Sequence, residues 1–422
     1  MACSGKEAHV AMRIFSSVNR TTAGLRTAAI GSAVVFLFAV NSPAQDRAPA
    51  NDGGDAAGQA TPDVPEWQYG AFVDVGYLNS FNDPSNHLFR GRGTTRRVDE
   101  WDVNMAAVYL KRPPSEAARF GLELTAQAGQ DTKLFGFSPT APNIGGADSL
   151  LHSGPVNASY LAPVGQGLTI QGGIFSSLIG YDSLYAKDNF TYTRPWGADY
   201  TPYLMLGVNV SYPMTGKLTG TFAVVNGYAH LAHANDAPSV CGQLAFKPSD
   251  GVTLKETVLY GSHQVNTALE FWRVLSDTIV ERKAGPLTAA VEYQLSSEKV
   301  DASGSPRALW ISAQMAVHWA IVGPWSVTVR PEFAWDRDGR WITGQLGAGQ
   351  SIKAITTTLD FRVPYPAGQG ILRLEYRYDD SRGTAGGFFD DGEVRPGVIG
   401  LKPGQHLLTV GVILTLDSSA HR

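Results

Sequence analysis

Leu372-Arg373-Leu374-Glu375-Tyr376-Arg377-Tyr378-Asp379 alternates oily and charged side chains without a break. Successive side chains of a β-strand point to opposite faces, so Leu372, Leu374, Tyr376 and Tyr378 share one face and the four charges share the other. Two upstream stretches do the same. Arg330, Glu332 and Asp336 alternate with Val329, Pro331, Phe333 and Trp335, and Asp360 and Arg362 alternate with Leu359, Phe361 and Val363. Working back, Phe120, Leu122, Leu124, Ala126 and Ala128 oppose Glu123, Thr125 and Gln127. Trp101, Val103, Met105, Ala107 and Tyr109 oppose Asp102 and Asn104. Trp67, Tyr69, Ala71, Val73, Val75 and Tyr77 oppose Gln68, Gly70, Asp74 and Gly76.

A soluble β-sandwich alternates too, so two further signals decide. Aromatics cluster at the ends of the oily faces, as in Trp67/Tyr69 with Tyr77, Trp101 with Tyr109 and Trp325 with Trp335, where membrane barrels place interfacial girdles. Connections also alternate in length. Lys111–Ala118, Pro163–Gly167, Pro213–Gly216, Lys247–Gly251, Lys283–Pro286, Ala320–Pro324 and Pro364–Gly370 are short. Between them lie long polar loops such as Asn79–Arg97, Gln130–Gly154, Ser177–Tyr203, Asp336–Gln350 and Asp380–Gly404. Short periplasmic turns and long extracellular loops are the outer-membrane arrangement. The pattern predicts an all-β fold: a transmembrane antiparallel up-and-down β-barrel of about sixteen strands spanning residues 65–417. The segments from Val252 and Phe271, blurred by Lys255, Glu256 and Asp277, leave fourteen or eighteen open. A barrel of this size encloses an aqueous channel.

The chain has 422 residues, a net charge of −4 and 17% charged residues, with no basic excess to hold nucleic acid. Arg13, Arg20 and Arg26 precede an apolar stretch from Ala28 to Val40 that is too short for a spanning helix, and Ser42-Pro43-Ala44 supplies small residues for cleavage. Residues 1–44 therefore read as a signal peptide for export to the Gram-negative outer membrane. Residues 45–64, rich in Ala, Gly, Pro and Asp, read as a disordered periplasmic leader, and 418–422 as a C-terminal tail. Cys241 is the one cysteine beyond the signal, which excludes an intrachain disulfide, and it reads as a small filler.

Two groups of segments resemble a known family. One is Gly173-Ile174-Phe175-Ser176-Ser177-Leu178-Ile179-Gly180-Tyr181-Asp182 with Asn189-Phe190-Thr191-Tyr192-Thr193-Arg194-Pro195, Gly207 and Val224-Val225-Asn226-Gly227-Tyr228. The other is Arg330-Pro331-Glu332 and Asp336-Arg337-Asp338-Gly339, followed by Leu372 to Ser381 and Phe388-Phe389. They resemble the β-barrel porin-2 family of OmpL-like outer-membrane proteins over Trp67 to Leu416. The resemblance implies an outer-membrane channel and transfers no catalytic residue. The final strand, His406 to Leu416, departs from the family in lacking a terminal aromatic, and Asp380 stands where the family often has a basic residue.

Passive diffusion of small hydrophilic solutes or ions follows as the expected function, with outer-membrane lipid as the surrounding partner and a homotrimer as an open assembly. Pore radius and charge at the constriction would set selectivity. The loop Ser177–Tyr203 carries Leu178, Ile179, Tyr181, Phe190, Tyr192 and Trp196, too much apolar content for a solvated loop. It is expected to fold into the barrel with Asp182, Asp188 and Arg194; the alternative is an extracellular cap. The opposing wall is expected to present Arg330, Glu332, Asp360, Arg362, Arg373, Glu375, Arg377 and Asp379, either as a filter or as structural pairs.

Other chemistry is thinly represented. His230 and His233, with Asp236 nearby, lack the further ligands a metal needs, so no metal or cofactor is expected. An outer-membrane lipid hydrolase would need Ser and His together at one rim, but His152, His263, His318 and His406 are scattered, so no enzyme is expected. A surface receptor or adhesin acting through the loops is the other alternative.

Overall fold

The computed structural model describes residues 66–418 except 136–146, 229–230, 232–236, 265–266, 302–306, 341–348 and 384–385. The signal peptide, the leader, His230, His233, Asp236 and the tail beyond Ser418 lie outside the described residues. The strands in chain order are β1 (Gln68–Ser80), β2 (Trp101–Arg112), β3 (Phe120–Ala128), β4 (Ser153–Ala162), β5 (Leu168–Ser176) and β6 (Leu204–Pro213). Next come β7 (Leu218–Val225), β8 (Ser239–Ser249), β9 (Val252–Ser262), β10 (Trp272–Ala284), β11 (Leu287–Glu298) and β12 (Ala308–Val322). The chain finishes with β13 (Trp325–Asp336), β14 (Gln350–Tyr365), β15 (Gly368–Arg382), β16 (Phe388–Arg395), β17 (Val398–Lys402) and β18 (Gly404–Asp417).

Sixteen of these strands pair antiparallel with their neighbours, and β18 pairs with both β15 and β1 to close the barrel. Closure leaves no sheet edge, which hydrocarbon would penalise at every unpaired N–H and C=O. The segments that looked ambiguous are both true strands, β9 and β10, paired from Trp272↔Ser262 to Arg282↔Val252. Gly285 and Gly323 take positive φ, and each shares its hairpin turn with Pro286 or Pro324. The turns at one end of the barrel are tight in this way, and the long loops occupy the other end.

Two sequence expectations need correction. Met105, Ala107 and Tyr109 do not share the oily face of Trp101 and Val103. The register of β2 on β1 slips between Asp74 and Val75, which pair with Met105 and Val103 and leave Asn104 as an extra residue. A β-bulge of this kind flips everything beyond it. Met105 and Ala107 are therefore buried inside, Val108 is exposed outside, and the Tyr109 hydroxyl donates to Asp417 at 3.1 Å. The last long loop is also not wholly irregular, since β16 and β17 form a separate hairpin within it.

The apolar core sits inside the barrel beneath the loops. Leu78, Trp310, Ile352 and Leu407 project inward and pack with Phe89, Trp196 and Phe388 from the loops. A second cluster joins Phe175, Met205, Val225, Leu259 and Leu275 to Ile179. The outer faces remain uncovered, with Leu372, Leu374 and Tyr376 all more than 40% exposed. If that outer face meets lipid, Leu374→Arg at mid-strand should destabilise the barrel by about 2–4 kcal/mol. Urea unfolding in phospholipid vesicles measures this, and an unchanged midpoint would remove the membrane assignment of the face.

Candidate functional site: a loop clamped across the lumen

Loop 177–203 leaves β5 at the long-loop end, enters the barrel and returns to β6. Its mouth is tied by Ser177 N–H donating to the Tyr203 carbonyl at 2.9 Å. The first limb crosses to β8–β12. Gln243 donates to the Leu178 carbonyl at 2.6 Å, Gly180 N–H donates to Asp277 at 2.9 Å, and Tyr181 N–H to Glu292 at 3.1 Å. The Tyr181 hydroxyl donates to Glu281 at 2.8 Å, and Gln314 donates to Asp182 at 2.7 Å. The middle of the loop then swings to the opposite side. There the Tyr185 hydroxyl donates to Gln127 of β3 at 2.9 Å, and Lys187 lies over the Phe72 ring of β1.

The second limb is held by charge. Arg373 forks onto Asp360 at 2.6 and 2.8 Å, and its remaining N–H groups donate to the carbonyls of Ala186, Asn189 and Thr191 at 2.9–3.0 Å. Glu375 accepts the backbone N–H groups of Tyr192 and Thr193 and the Thr358 hydroxyl. Glu332 accepts the Trp196 N–H at 2.6 Å, and Asp379 accepts its indole N–H at 2.8 Å. Arg377 bridges those two carboxylates at 2.8 Å each, and Arg330 donates to the Thr191 hydroxyl. Strand alternation makes this clamp possible, because Arg373, Glu375, Arg377 and Asp379 all leave β15 on one face. Cross-strand register sets Asp360 directly beside Arg373 and Thr358 beside Glu375.

The structure thus brings Arg194, Arg330, Glu332, Asp360, Arg373, Glu375, Arg377 and Asp379 together around the loop, every one of them less than 10% exposed. They form the wall on which the loop rests, hydrogen-bonded to it and to one another. Period two reveals which face a residue takes but not where a loop lands on that face. Asp182 and Arg362 are partly exposed, and Asp188 is exposed. Asp188 pairs with Lys187 at 2.7 Å, and Arg362 pairs with Asp360 at 3.1 Å.

Several contributors had no distinctive sequence signal. The Tyr192 hydroxyl donates to Asp74 of β1 at 2.6 Å and accepts from Asn104 at 2.8 Å, so the loop tip also grips the far side of the closure seam. The first long loop adds Arg92, which pairs with Asp199 at 2.9 Å and lies over the Trp196 ring. Arg194 lies 3.4 Å from Asp131, which also accepts the Thr95 N–H at 2.7 Å. Burial raises the Asp131 carboxyl to about 7, against the pull of Arg194 and the Thr95 N–H.

Open space remains on both sides of the loop: a cavity of about 730 Å³ lies between Phe190 and the short-turn ends of β12–β15, beside His318 and Arg362, and another lies on the β1–β5 side. A cavity of about 530 Å³ separates the 179–188 limb from the inner faces of these strands, lined by Phe72, Tyr109, Lys111, Glu123, Thr125, Tyr185, Lys187, Asp188 and Asp417 among others. Two results are expected of this clamp. Arg373→Gln removes the bidentate partner of Asp360, leaving it Arg362 alone, and frees three loop carbonyls; it should cost up to about 3–5 kcal/mol, with loop 186–194 becoming open to protease in the folded barrel. For Asp131 the folded carboxyl binds its proton more tightly than the unfolded one. Its contribution to loop locking is complete below pH about 4 and lost as pH rises through about 7. Proteolysis of the loops at pH 5 and pH 8 reads that loss, and Asp131→Asn should abolish the difference.

Comparison with known proteins agrees with this architecture. The family described as "Putative beta-barrel porin-2, OmpL-like" matches residues 67–416. Among solved structures, the anion-selective porin from Comamonas acidovorans superposes with a TM-score of 0.54 at 9% identity, covering 83% of this chain and 99% of that one. The outer membrane channel DcaP of Acinetobacter baumannii gives 0.52 at 11% identity, with 85% and 98% covered. A trimer form of OmpT, an outer membrane protein of Vibrio cholerae, gives 0.50 at 10% identity, with 84% and 100% covered. A search of curated protein sequences yields no significant match.

Proposed function

The chain belongs to the β-barrel porin-2, OmpL-like family of Gram-negative outer-membrane channels, and from that premise we propose that small hydrophilic solutes and ions diffuse through its lumen along the β1–β5 wall. The observation carrying this reading is the one-sided seating of loop 177–203. Buried ion pairs fill the middle of the β13–β15 side, with open space only towards its short turns beside His318 and Arg362, whereas charged groups on the β1–β5 side line a cavity alongside the loop itself. Arg330, Glu332, Asp360, Arg373, Glu375, Arg377 and Asp379 then act by holding the constriction in place. Arg194 does the same from the loop itself.

Selectivity falls to the residues that remain wet. Lys111 and Lys187 face Glu123, Asp182, Asp188 and Asp417 in the cavity lining, a balance that favours cations. The solute needs no chemistry from the protein. His318 is occupied by Thr328 at 2.9 Å and by stacking on Phe190, and His406 meets Tyr376 on the outer surface. The trimer form of the Vibrio OmpT supports a homotrimer for this chain as well, with outer-membrane lipid around it.

In planar bilayers under a salt gradient, Glu123→Gln with Asp188→Asn should shift the reversal potential toward anions. Arg377→Gln should act on open-channel noise and stability instead. A reversal potential indifferent to the first pair and moved by the second would place the filter on the β13–β15 wall and overturn this passage.

A further inference from the structure

Glu256 blurred the alternation of its segment, and the structure shows why. Lys255 and Thr257 belong to the inner phase of β9, while Glu256 points outward between the exposed Leu254 and Val258. It stands inside the oily band. Phe246 on β8 pairs with Leu254 on the short-turn side, and the stacked rings of Tyr260 and Trp272 mark the long-loop side. Both carboxylate oxygens are engaged from β10: Ser276 donates at 2.7 Å, and Thr278 donates to the other oxygen. The result is a patch of one carboxylate and two hydroxyls on a surface that should meet hydrocarbon, where ionisable groups are costly and functional by default.

Two features place this patch at the edge of an unusual part of the wall. Strands β3 to β9 have 8–11 residues, whereas β10 to β15 and β18 have 12–16. The barrel is therefore low on this side, and β7, with 8 residues, falls short of the 9–11 a tilted strand needs to cross alone. The outward phase here also includes glycines. Gly242 has nothing within 4 Å of where a Cβ would stand, while Gly220, in the cross-strand row of Leu244 and Glu256, is covered by the Met214 side chain. Small residues on a lipid-facing surface let a second protein surface approach closely.

We propose that the outer face of β7–β10, centred on Glu256, is the contact surface for a second copy of this chain. The proposal rests on the trimer reading above and locates its interface. The other end of the low wall supplies the complement. Tyr160 on β4 projects outward against Phe120, close to the short-turn end of its strand, and its phenol is a donor suited to a carboxylate. A β7–β10 face meeting a β3–β5 face is a head-to-tail contact, which gives a ring only when the rotation between copies closes. Glu256 then faces protein donors in place of acyl chains.

The test uses full-length protein extracted from outer membranes in mild detergent, with mass read by light scattering. Wild type should measure as an oligomer, Gly242→Trp as a monomer, and Thr357→Trp, on the outer face of β14, as wild type. Glu256→Leu should lower the temperature at which the oligomer dissociates. A wild-type monomer, or an oligomer untouched by both Gly242→Trp and Glu256→Leu, would overturn the proposal. So would a Glu256→Leu barrel that only gains resistance to unfolding, because that is the behaviour of a carboxylate freed from lipid. Conductance of the same samples separates the two readings: a wild type that assembles through this face without conducting would sink the channel and support the surface.

Discussion

A backbone amide in hydrocarbon has no water to bond, and the whole molecule is organised around that fact. The pairing of Gly70–Ser80 with Leu407–Asp417 joins the first strand to the last and removes the two edges that a sheet of this size would otherwise expose. Once the ring is closed, every residue is committed to an inner or an outer phase. The outer phase carries the lipid-facing side chains, and the inner phase is free to be polar. The charge-lined interior is thus a product of closure. An open sheet could not bury Arg373, Arg377 and their carboxylates on one face and stay in a membrane.

That interior is used mainly to hold a loop. Burying an arginine–carboxylate pair gains little stability by itself, because desolvation offsets the attraction. Its value here is geometric. Arg373 gives its donors to three carbonyls within six residues of the loop as well as to Asp360, so a segment without regular hydrogen bonding is pinned in place. Tyr192 completes the brace by reaching Asp74, which couples the loop tip to the closure seam itself.

The alternation from Leu372 to Asp379 and the rhythm of short and long connections made the barrel and its number of about sixteen strands readable from the sequence, because both follow from local periodicity. The aromatic and apolar content of Ser177–Tyr203 likewise pointed to a loop that goes inside. Two things could not be read. The slip at Asn104 depends on how β2 sits on β1, and no local pattern announces a bulge, so Tyr109 was assigned to lipid when it faces the lumen. The destination of the loop depends on contacts more than a hundred residues apart, such as Trp196 with Glu332 and Tyr192 with Glu375. The alternation placed the charges of β13–β15 on the inner face but left open whether they pair structurally or filter solute, and their hydrogen bonds to the loop depend on contacts that no local pattern encodes. Glu256 looked like noise in a strand and proved to be an outward-facing group.

The clamp also ties together distant parts of the chain. The loop that narrows the lumen is encoded in the first half of the chain, but the side chains that seat it come from β13 to β15, near the end. Without those last strands, residues 186–196 keep only their anchors on the first strands and loops, such as Tyr192 on Asp74 and Arg194 beside Asp131. A polypeptide cut short before Gly368 would lose β15 and β18 together, and with them both the main seat of the loop and the closure of the ring.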